Sequence, residues 1–346
     1  MSTQRRILIL GDDFTPAALF AEEVRARLGS RAQEVELELL DLDGDGYQAG
    51  PIDGVREFLG SVQAFIGRVE DAEAIVTTFA PITEAVLARA RRLELVICGR
   101  GGPVNVDIAA ARGRGVSVAY VPGRNAEAVS EYVVGVLLGL TRRIGTAGAW
   151  LRDGSWTSGR EDTLEKPSGW ELEGRTLGLI GFGAIGTRVA ELLAPMRMKV
   201  IATDPVVPAE TIRARGAEPV DLPELLRRSD VVSVHARPSG DAKPIVGRGE
   251  LAQMRRGSFL INTSRGVNVD ELAVADALVS GQLAGAALDV FDSEPLPPGH
   301  PLLEAPNALL TPHVAGVSED VPIRTARAVA SAVDDWVSGR PLANVL

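Results

Sequence analysis

The sequence is poor in the residues that build cross-links and metal sites. Its one cysteine, Cys98, excludes an internal disulfide, and three histidines, His235, His300 and His313, are too few for a Cys/His metal cluster. A basic excess is also missing: 36 Lys and Arg stand against 46 Asp and Glu, a formal charge of −10. Without surplus cations to displace counterions from phosphates, nucleic acid and anionic membrane are not expected partners. Aromatics make up 4% of residues, too few for a base-stacking platform. The longest apolar run, Tyr132 to Leu140, contains two glycines and stops at Thr141-Arg142-Arg143, short of the roughly 18 residues of a membrane span. Ile7 to Leu10 runs straight into Gly11-Asp12-Asp13, too short an apolar core for a secretory signal. A reducing cytoplasm is the expected compartment. Fixed-period repeats and low-complexity tracts are absent.

What is present is 346 residues, 45% of them hydrophobic, enough for two domains at about 150 residues each. Short β-branched runs at Ile7 to Leu10, Val35 to Leu39, Ala74 to Thr77, Leu95 to Cys98 and Val116 to Ala119 alternate with helix-like segments, the rhythm of a parallel α/β domain. Thr15 before Pro16 reads as an N-cap with proline at the first helical position. Glu127 to Trp150, without an internal proline, reads as one long buried helix. Leu151 to Gly174, with Ser155, Ser158, Gly159 and Pro167, reads as a polar loop. A second α/β series follows, with strands at Leu177 to Ile180, Lys199 to Thr203, Val231 to Val234, Phe259 to Asn262, Ala286 to Asp289 and Leu309 to Thr311. One more amphipathic helix is expected between Ser318 and Ser338. The fold class is therefore α/β, with two doubly wound parallel-sheet domains.

Gly181-Phe182-Gly183-Ala184-Ile185-Gly186 fits G-x-G-x-x-G, and it stands where a strand ends and a helix opens. There the first glycine makes the turn, the second admits a pyrophosphate and the third lets helix and strand pack closely. Helix N-terminal N–H groups then face the phosphates. Asp204, eighteen residues past Gly186 at a strand end, stands where ribose hydroxyls need an acceptor; the plain alternative is a strand-end cap. A carboxylate there favours NAD over NADP, because it repels a 2′-phosphate.

Three further strands end at chemistry-bearing residues: Asn262-Thr263-Ser264-Arg265-Gly266, Leu288 to Pro295 with Asp289 and Glu294, and Leu310-Thr311-Pro312-His313-Val314-Ala315-Gly316. Strand ends of an open parallel sheet converge on its ligand crevice, so Arg265, Glu294 and His313 are expected to meet. Arginine clamps a carboxylate, histidine moves a proton near neutral pH, and a carboxylate bonded to the histidine fixes its tautomer.

With these motifs the chain resembles the D-isomer-specific 2-hydroxyacid dehydrogenases, from the loop Gly99 to Asp107 and the stretch Pro122 to Val129 through to Asn344. The resemblance implies a Rossmann NAD-binding domain, residues 124–312, inserted into a flavodoxin-like substrate domain, residues 1–123 and 313–346. It implies Arg265 as binder of the substrate carboxylate and carbonyl, His313 as acid/base and Glu294 as its partner. Cofactor contacts extend by the same resemblance to Pro205, Ala236, Arg237, Pro238, Thr263, Ser264, Asp289, His313, Ala315 and Gly316. The implied reaction is hydride transfer between the nicotinamide and C2 of a small 2-hydroxy or 2-oxo acid. A homodimer is implied, with the segment Glu127 to Trp150 and the following arm as its contact and Trp150 and Trp156 packed at a subunit contact or domain edge. No metal is implied. The chain ends soon after its last helix, so an added ACT-type regulatory domain is not expected. Formate dehydrogenases resemble it less, because they carry glutamine where Glu294 stands.

The sequence departs from the family at two loops. Gly99-Arg100-Gly101-Gly102-Pro103-Val104-Asn105-Val106-Asp107 is shorter than the family's substrate loop, with Gly101 and Gly102 N–H groups as candidates for a substrate carboxylate and Arg100 for a second anionic group such as a phosphate. In His235-Ala236-Arg237-Pro238-Ser239, Arg237 replaces a customary proline. His235 reads as a loop residue, His300 as a turn residue and Cys98 as a buried small hydrophobe. Two rival functions remain open: D-3-phosphoglycerate dehydrogenase, and an NADH-sensing binding protein like the C-terminal-binding-protein corepressors.

Overall fold

The computed structural model describes residues 4–42, 47–48, 50–152, 154, 168–238 and 243–346. The chain divides into two compact units, unit 1 comprising Met1–Asn125 and Ser318–Leu346 and unit 2 comprising Ala126–Val317. Among the described residues no helix is long and apolar enough to cross a membrane.

Unit 1 contains β1 (Arg5–Gly11), α1 (Ala17–Leu28), β2 (Val35–Asp41), a small antiparallel pair β3 (Tyr47–Gln48) and β4 (Phe58–Leu59), β5 (Ala74–Thr77), α2 (Glu84–Arg89), β6 (Leu95–Cys98), α3 (Ile108–Gly113) and β7 (Ser117–Tyr120), and it closes with a helix at Asp320–Val337. Its described main sheet has the order β2-β1-β5-β6-β7, all parallel, which is the flavodoxin-like winding. Alternation along β1 serves both faces. Leu8 and Leu10 pack with Ile75, Val86 and Val96, while Ile7 and Ile9 pack with Phe20, Val24 and the closing helix's Val329 and Val333.

The cap expected at Thr15 is not the one formed. Pro16, extended at φ −58° and ψ 144°, occupies the cap position, and α1 begins at Ala17. The capping carboxylate comes from a distant strand: Asp41 at the end of β2 accepts the Ala17 N–H at 2.7 Å. The Thr15 hydroxyl is buried without a partner, and its N–H goes to Asp12 Oδ1 at 2.8 Å.

Unit 2 contains α4 (Ala126–Thr141), α5 (Ile144–Arg152), β8 (Thr176–Ile180), α6 (Ala184–Leu193), β9 (Lys199–Thr203), α7 (Ala209–Ala214), β10 (Glu218–Pro219), α8 (Leu222–Arg228), β11 (Val231–Val234), α9 (Arg248–Gln253), β12 (Ser258–Asn262), α10 (Glu271–Val279), β13 (Leu283–Leu288) and β14 (Ala308–Leu310). The described strands run β10-β9-β8-β11-β12-β13-β14, a Rossmann order extended by one strand. Leu177 and Leu179 face α4 and α6, and Val232, Val234 and Leu260 face α8 to α10.

The long helix expected over Glu127 to Trp150 is two helices. Arg143 adopts a left-handed φ of 52°, its N–H bonds to Leu140 O at 3.1 Å, and the chain restarts as α5 at Ile144. Trp150 lies half-buried on α5. Trp156, with Ser155, Ser158, Gly159 and Pro167 of the expected polar loop, lies outside the described residues, as does Ser239.

Candidate active site

The glycine turn after β8 is built as its spacing requires. Gly181 has φ 95°, and a Cβ there would stand 2.7 Å from the Ala236 nitrogen, so the turn lies against the chain leaving β11. A Cβ on Gly186 would meet Gly181 O at 2.3 Å, whereas one on Gly183 would meet nothing within 4 Å. The protein's own packing therefore explains the first and third glycines but not the second, whose open face suits the close approach of a diphosphate. Gly183 is also the N-cap of α6, and no side chain caps that terminus, so its first-turn N–H groups, beginning at Ala184 and Ile185, remain available to an anion. The Phe182 side chain is fully buried in the core and acts here through its backbone. These features fit a dinucleotide.

Asp204, at the end of β9, accepts the Phe182 N–H at 2.7 Å through Oδ2 and those of Val206 and Val207 at 2.8 and 3.0 Å through Oδ1. Burial works to raise its pKa, but the three N–H donors outweigh it and hold the carboxyl below the usual range. It caps the strand end and steadies the glycine turn while remaining ionised. Pro205, next to it, is exposed. After β11, Ala236 O accepts from Asn268 Nδ2 at 2.9 Å, and Arg237 and Pro238 are exposed. The His235 ring meets the Ser233 hydroxyl at 2.9 Å and is pushed down to about 4 by burial, which leaves it neutral at pH 7.

The three residues expected to meet all lie in unit 2, and interactions join them. His313 Nδ1 lies 2.8 Å from Glu294 Oε2, and Glu294 Oε1 accepts the Phe291 N–H at 3.0 Å. Burial would raise the Glu294 pKa. The His313 hydrogen bond, the Phe291 N–H and the positive charges of His313 and Arg265 overcome that and lower it. Arg265 thus acts electrostatically on the His–Glu pair. An ionised Glu294 can only accept, so the proton in the pair belongs to Nδ1, and Nε2 is left as the nitrogen that exchanges protons.

The supporting contacts were not foreseeable from residue spacing. Arg265 Nη1 donates to Ser264 O at 2.7 Å, Asn262 Nδ2 donates to Arg265 O at 3.0 Å, and Asn262 Oδ1 takes the Ser264 hydroxyl at 2.7 Å. Thr263 and Ser264 are both buried in this braced turn. A Cβ on Gly266 would fall 1.9 Å from the Phe291 carbonyl carbon, so the turn carrying Arg265 lies flush on the segment leading to Glu294. His300 does more than turn the chain. Its Nδ1 accepts the Leu302 N–H at 3.3 Å and its Nε2 pairs with Glu271, whose other oxygen accepts the Asp292 N–H at 2.6 Å. Asp289 is buried and spends its carboxylate on its own loop: Oδ1 accepts Thr311 Oγ1 and the Val314 N–H at 2.6 and 2.8 Å, and Oδ2 the Ala315 N–H at 2.8 Å. Gly316 follows, partly buried.

In unit 1, the Gly101 and Gly102 backbone follows β6, and a Cβ on Gly102 would meet nothing within 4 Å. Arg100 is committed elsewhere. Nη2 pairs with Glu57 Oε2 at 2.5 Å, Nη1 donates to Glu57 O at 2.5 Å, and the guanidinium lies 4.9 Å from the Phe79 ring centre, its side chain 9% exposed. Cys98 is fully buried, and burial raises its thiol pKa.

Sheet order, glycine turn and strand-end residues define unit 2 as a dinucleotide-binding domain of the dehydrogenase type. Residues 134–315 match the D-isomer specific 2-hydroxyacid dehydrogenase NAD binding domain. The chain belongs to the D-isomer specific 2-hydroxyacid dehydrogenase family, oxidoreductases that act on the hydroxyl group of a 2-hydroxy acid with a nicotinamide cofactor. It is 35% identical over 271 residues to a glyoxylate reductase of Korarchaeum cryptofilum, covering 78% of this chain and 81% of that protein. It is 33% identical over 287 residues to a D-3-phosphoglycerate dehydrogenase of Archaeoglobus fulgidus, covering 83% of this chain but only 53% of that longer protein. Among solved structures, D-mandelate dehydrogenase of Rhodotorula graminis superposes with a TM-score of 0.80 at 27% identity, over 99% of this chain and 97% of that one.

Proposed function

We propose that the chain is an NAD-dependent D-2-hydroxyacid dehydrogenase that works as a reductase of small, unphosphorylated 2-oxo acids, with His313 as acid/base. The observation that carries this reading is the 2.8 Å contact between His313 Nδ1 and an ionised Glu294, with the charge of Arg265 acting on the same pair. Reduced nicotinamide, when bound, supplies hydride to C2 of the oxo acid. His313, oriented by its Nδ1 hydrogen bond to Glu294, in its imidazolium form gives the Nε2 proton to the developing alkoxide at O2 and takes it back in the oxidative direction. Arg265 binds the substrate carboxylate and polarises the carbonyl, countering charge that grows toward the transition state. The backbone N–H groups of Gly101 and Gly102 are of the kind that hold a carboxylate. Asp204 accepts the ribose hydroxyls through its remaining lone pairs, which favours NAD over NADP. A cytoplasmic homodimer completes the reading.

The commitment of Arg100 to Glu57 favours an unphosphorylated substrate, because the arginine expected to hold a phosphate already has a carboxylate partner. The deciding experiment follows NADH oxidation with glyoxylate, hydroxypyruvate, its 3-phosphate and longer sugar-derived 2-oxo acids, using Arg265→Ala and His313→Ala as controls. Turnover of an unphosphorylated acid is expected, with loss of at least about 100-fold in either variant. Full activity of His313→Ala would remove it from the mechanism. Preference for the phosphorylated acid would restore the phosphoglycerate dehydrogenase reading, and tight NADH binding without any turnover would favour a sensor.

A further inference from the structure

His313 sits on a strained piece of backbone, with φ 54°, a left-handed conformation that a non-glycine residue keeps only when its surroundings enforce it. The enforcement comes from Asp289. Its carbonyl accepts the His313 N–H at 2.9 Å, and its carboxylate accepts the Val314 and Ala315 N–H groups, so the turn is gripped at three consecutive residues. The third donor to that carboxylate is the Thr311 hydroxyl at 2.6 Å. A threonine hydroxyl has one proton, and here it is spent on Asp289. The close contact between Thr311 Oγ1 and the Tyr132 hydroxyl must therefore have tyrosine as the donor. Burial raises the Tyr132 pKa, which keeps that hydroxyl protonated and able to donate. The result is a directed chain, Tyr132 O–H to Thr311 O–H to the Asp289 carboxylate, that joins α4 to the His313 turn entirely within unit 2.

We propose that Tyr132 is a positioning residue for the proton-transfer step, its hydroxyl acting through Thr311 and Asp289 to hold the turn that carries His313. This rests on the reading of His313 as the acid/base. A hydrogen-bond chain polarises along its length, so the terminal donor strengthens the bond that Asp289 receives and restricts its carboxylate to the geometry that grips the turn. Tyr132 itself touches neither substrate nor cofactor in this proposal.

The test compares Tyr132→Phe, Thr311→Val, Thr311→Ser and the Tyr132→Phe/Thr311→Val double variant, each checked for an intact melting transition. Tyr132→Phe and Thr311→Val are each expected to lower kcat about tenfold while KM for NADH stays within about twofold, because sub-ångström misplacement of His313 slows chemistry without touching the glycine turn. The double variant should lose no more than the worse single one, since either break severs the same chain. Thr311→Ser, which keeps the hydroxyl, should stay within about twofold of wild type. Wild-type kcat in Tyr132→Phe, whatever its melting temperature, overturns the proposal, and so does a double variant whose loss is the product of the singles. If no 2-oxo acid is turned over at all, the enzymatic reading fails separately. The positioning is then read from the His313 ring proton resonance, assigned by its absence in His313→Ala: a changed titration in Tyr132→Phe supports the proposal and an unchanged one overturns it.

Discussion

Adding a single methyl group at Gly266 would place it 1.9 Å from the carbonyl carbon of Phe291 and 2.2 Å from the nitrogen of Asp292. Both neighbours are backbone, so no side chain can swing aside. To restore ordinary van der Waals contact the two segments must separate by about 1.5 Å, which moves the turn carrying Arg265 away from the segment leading to Glu294. Overpacking of this kind costs about 1–3 kcal/mol. In a unit of this size that lowers the melting temperature by about 2–4 °C for each kcal/mol. The functional cost is larger in proportion, because a displacement near 1 Å between groups acting on one substrate costs about 100-fold in rate. Gly266→Ala should therefore lower kcat/KM for the oxo acid by about 100-fold, while the glycine turn after β8, built from other residues, keeps its NADH Kd within about threefold. Steady-state kinetics, NADH fluorescence titration and a thermal melt measure the three quantities. An unchanged melting temperature together with kcat/KM within twofold of wild type would refute the claim that this contact fixes the spacing of Arg265 and Glu294.

Two other outcomes follow from the charged groups. Burial pushes Asp12 up to about 6, so the native state keeps its proton where the unfolded chain, near 3.8, has released it. Stability should fall as pH rises between about 4 and 6, by up to about 1.4 kcal/mol per pH unit. Urea unfolding across that window should show the extra slope in wild type and not in Asp12→Asn; parallel profiles would remove Asp12 as its source. Asp204→Ala should weaken NADH about tenfold more than NADPH, because both cofactors lose the brace that the carboxylate gives the glycine turn but only NADH loses a charge-assisted ribose contact, and an unchanged NADH-to-NADPH preference would refute that assignment.

Much of this architecture was legible in the sequence because its signals are local. The runs Ala74 to Thr77, Lys199 to Thr203 and Val231 to Val234 coincide with strands. The glycine turn and the strand-end residues Arg265, Glu294 and His313 announce themselves by residue type next to an apolar run. What escaped depends on partners far away in the chain. The α1 cap comes from Asp41 rather than the adjacent Thr15, and Arg100 is claimed by Glu57, forty-three residues earlier. The break between α4 and α5 falls on Arg143, where an arginine rather than a glycine takes the left-handed conformation. Likewise nothing near Tyr132 in the sequence suggests that its hydroxyl reaches Thr311.

The order of strands in unit 2 also acts as a ruler. Asp204 leaves β9, the glycine turn leaves β8, Arg265 follows β12, Glu294 follows β13 and His313 follows β14, so Asp204 and these three residues follow strands that are three to five apart along one described sheet. At about 4.8 Å per strand that is roughly 14–24 Å, a span on the scale of an extended dinucleotide. In the proposed function, the separation between the ribose end and the proton-transfer end is therefore set chiefly by the repeat of backbone hydrogen bonds. A point substitution such as Gly266→Ala shifts one end by about 1.5 Å, whereas a change of a full strand spacing, about 4.8 Å, needs the gain or loss of a whole strand.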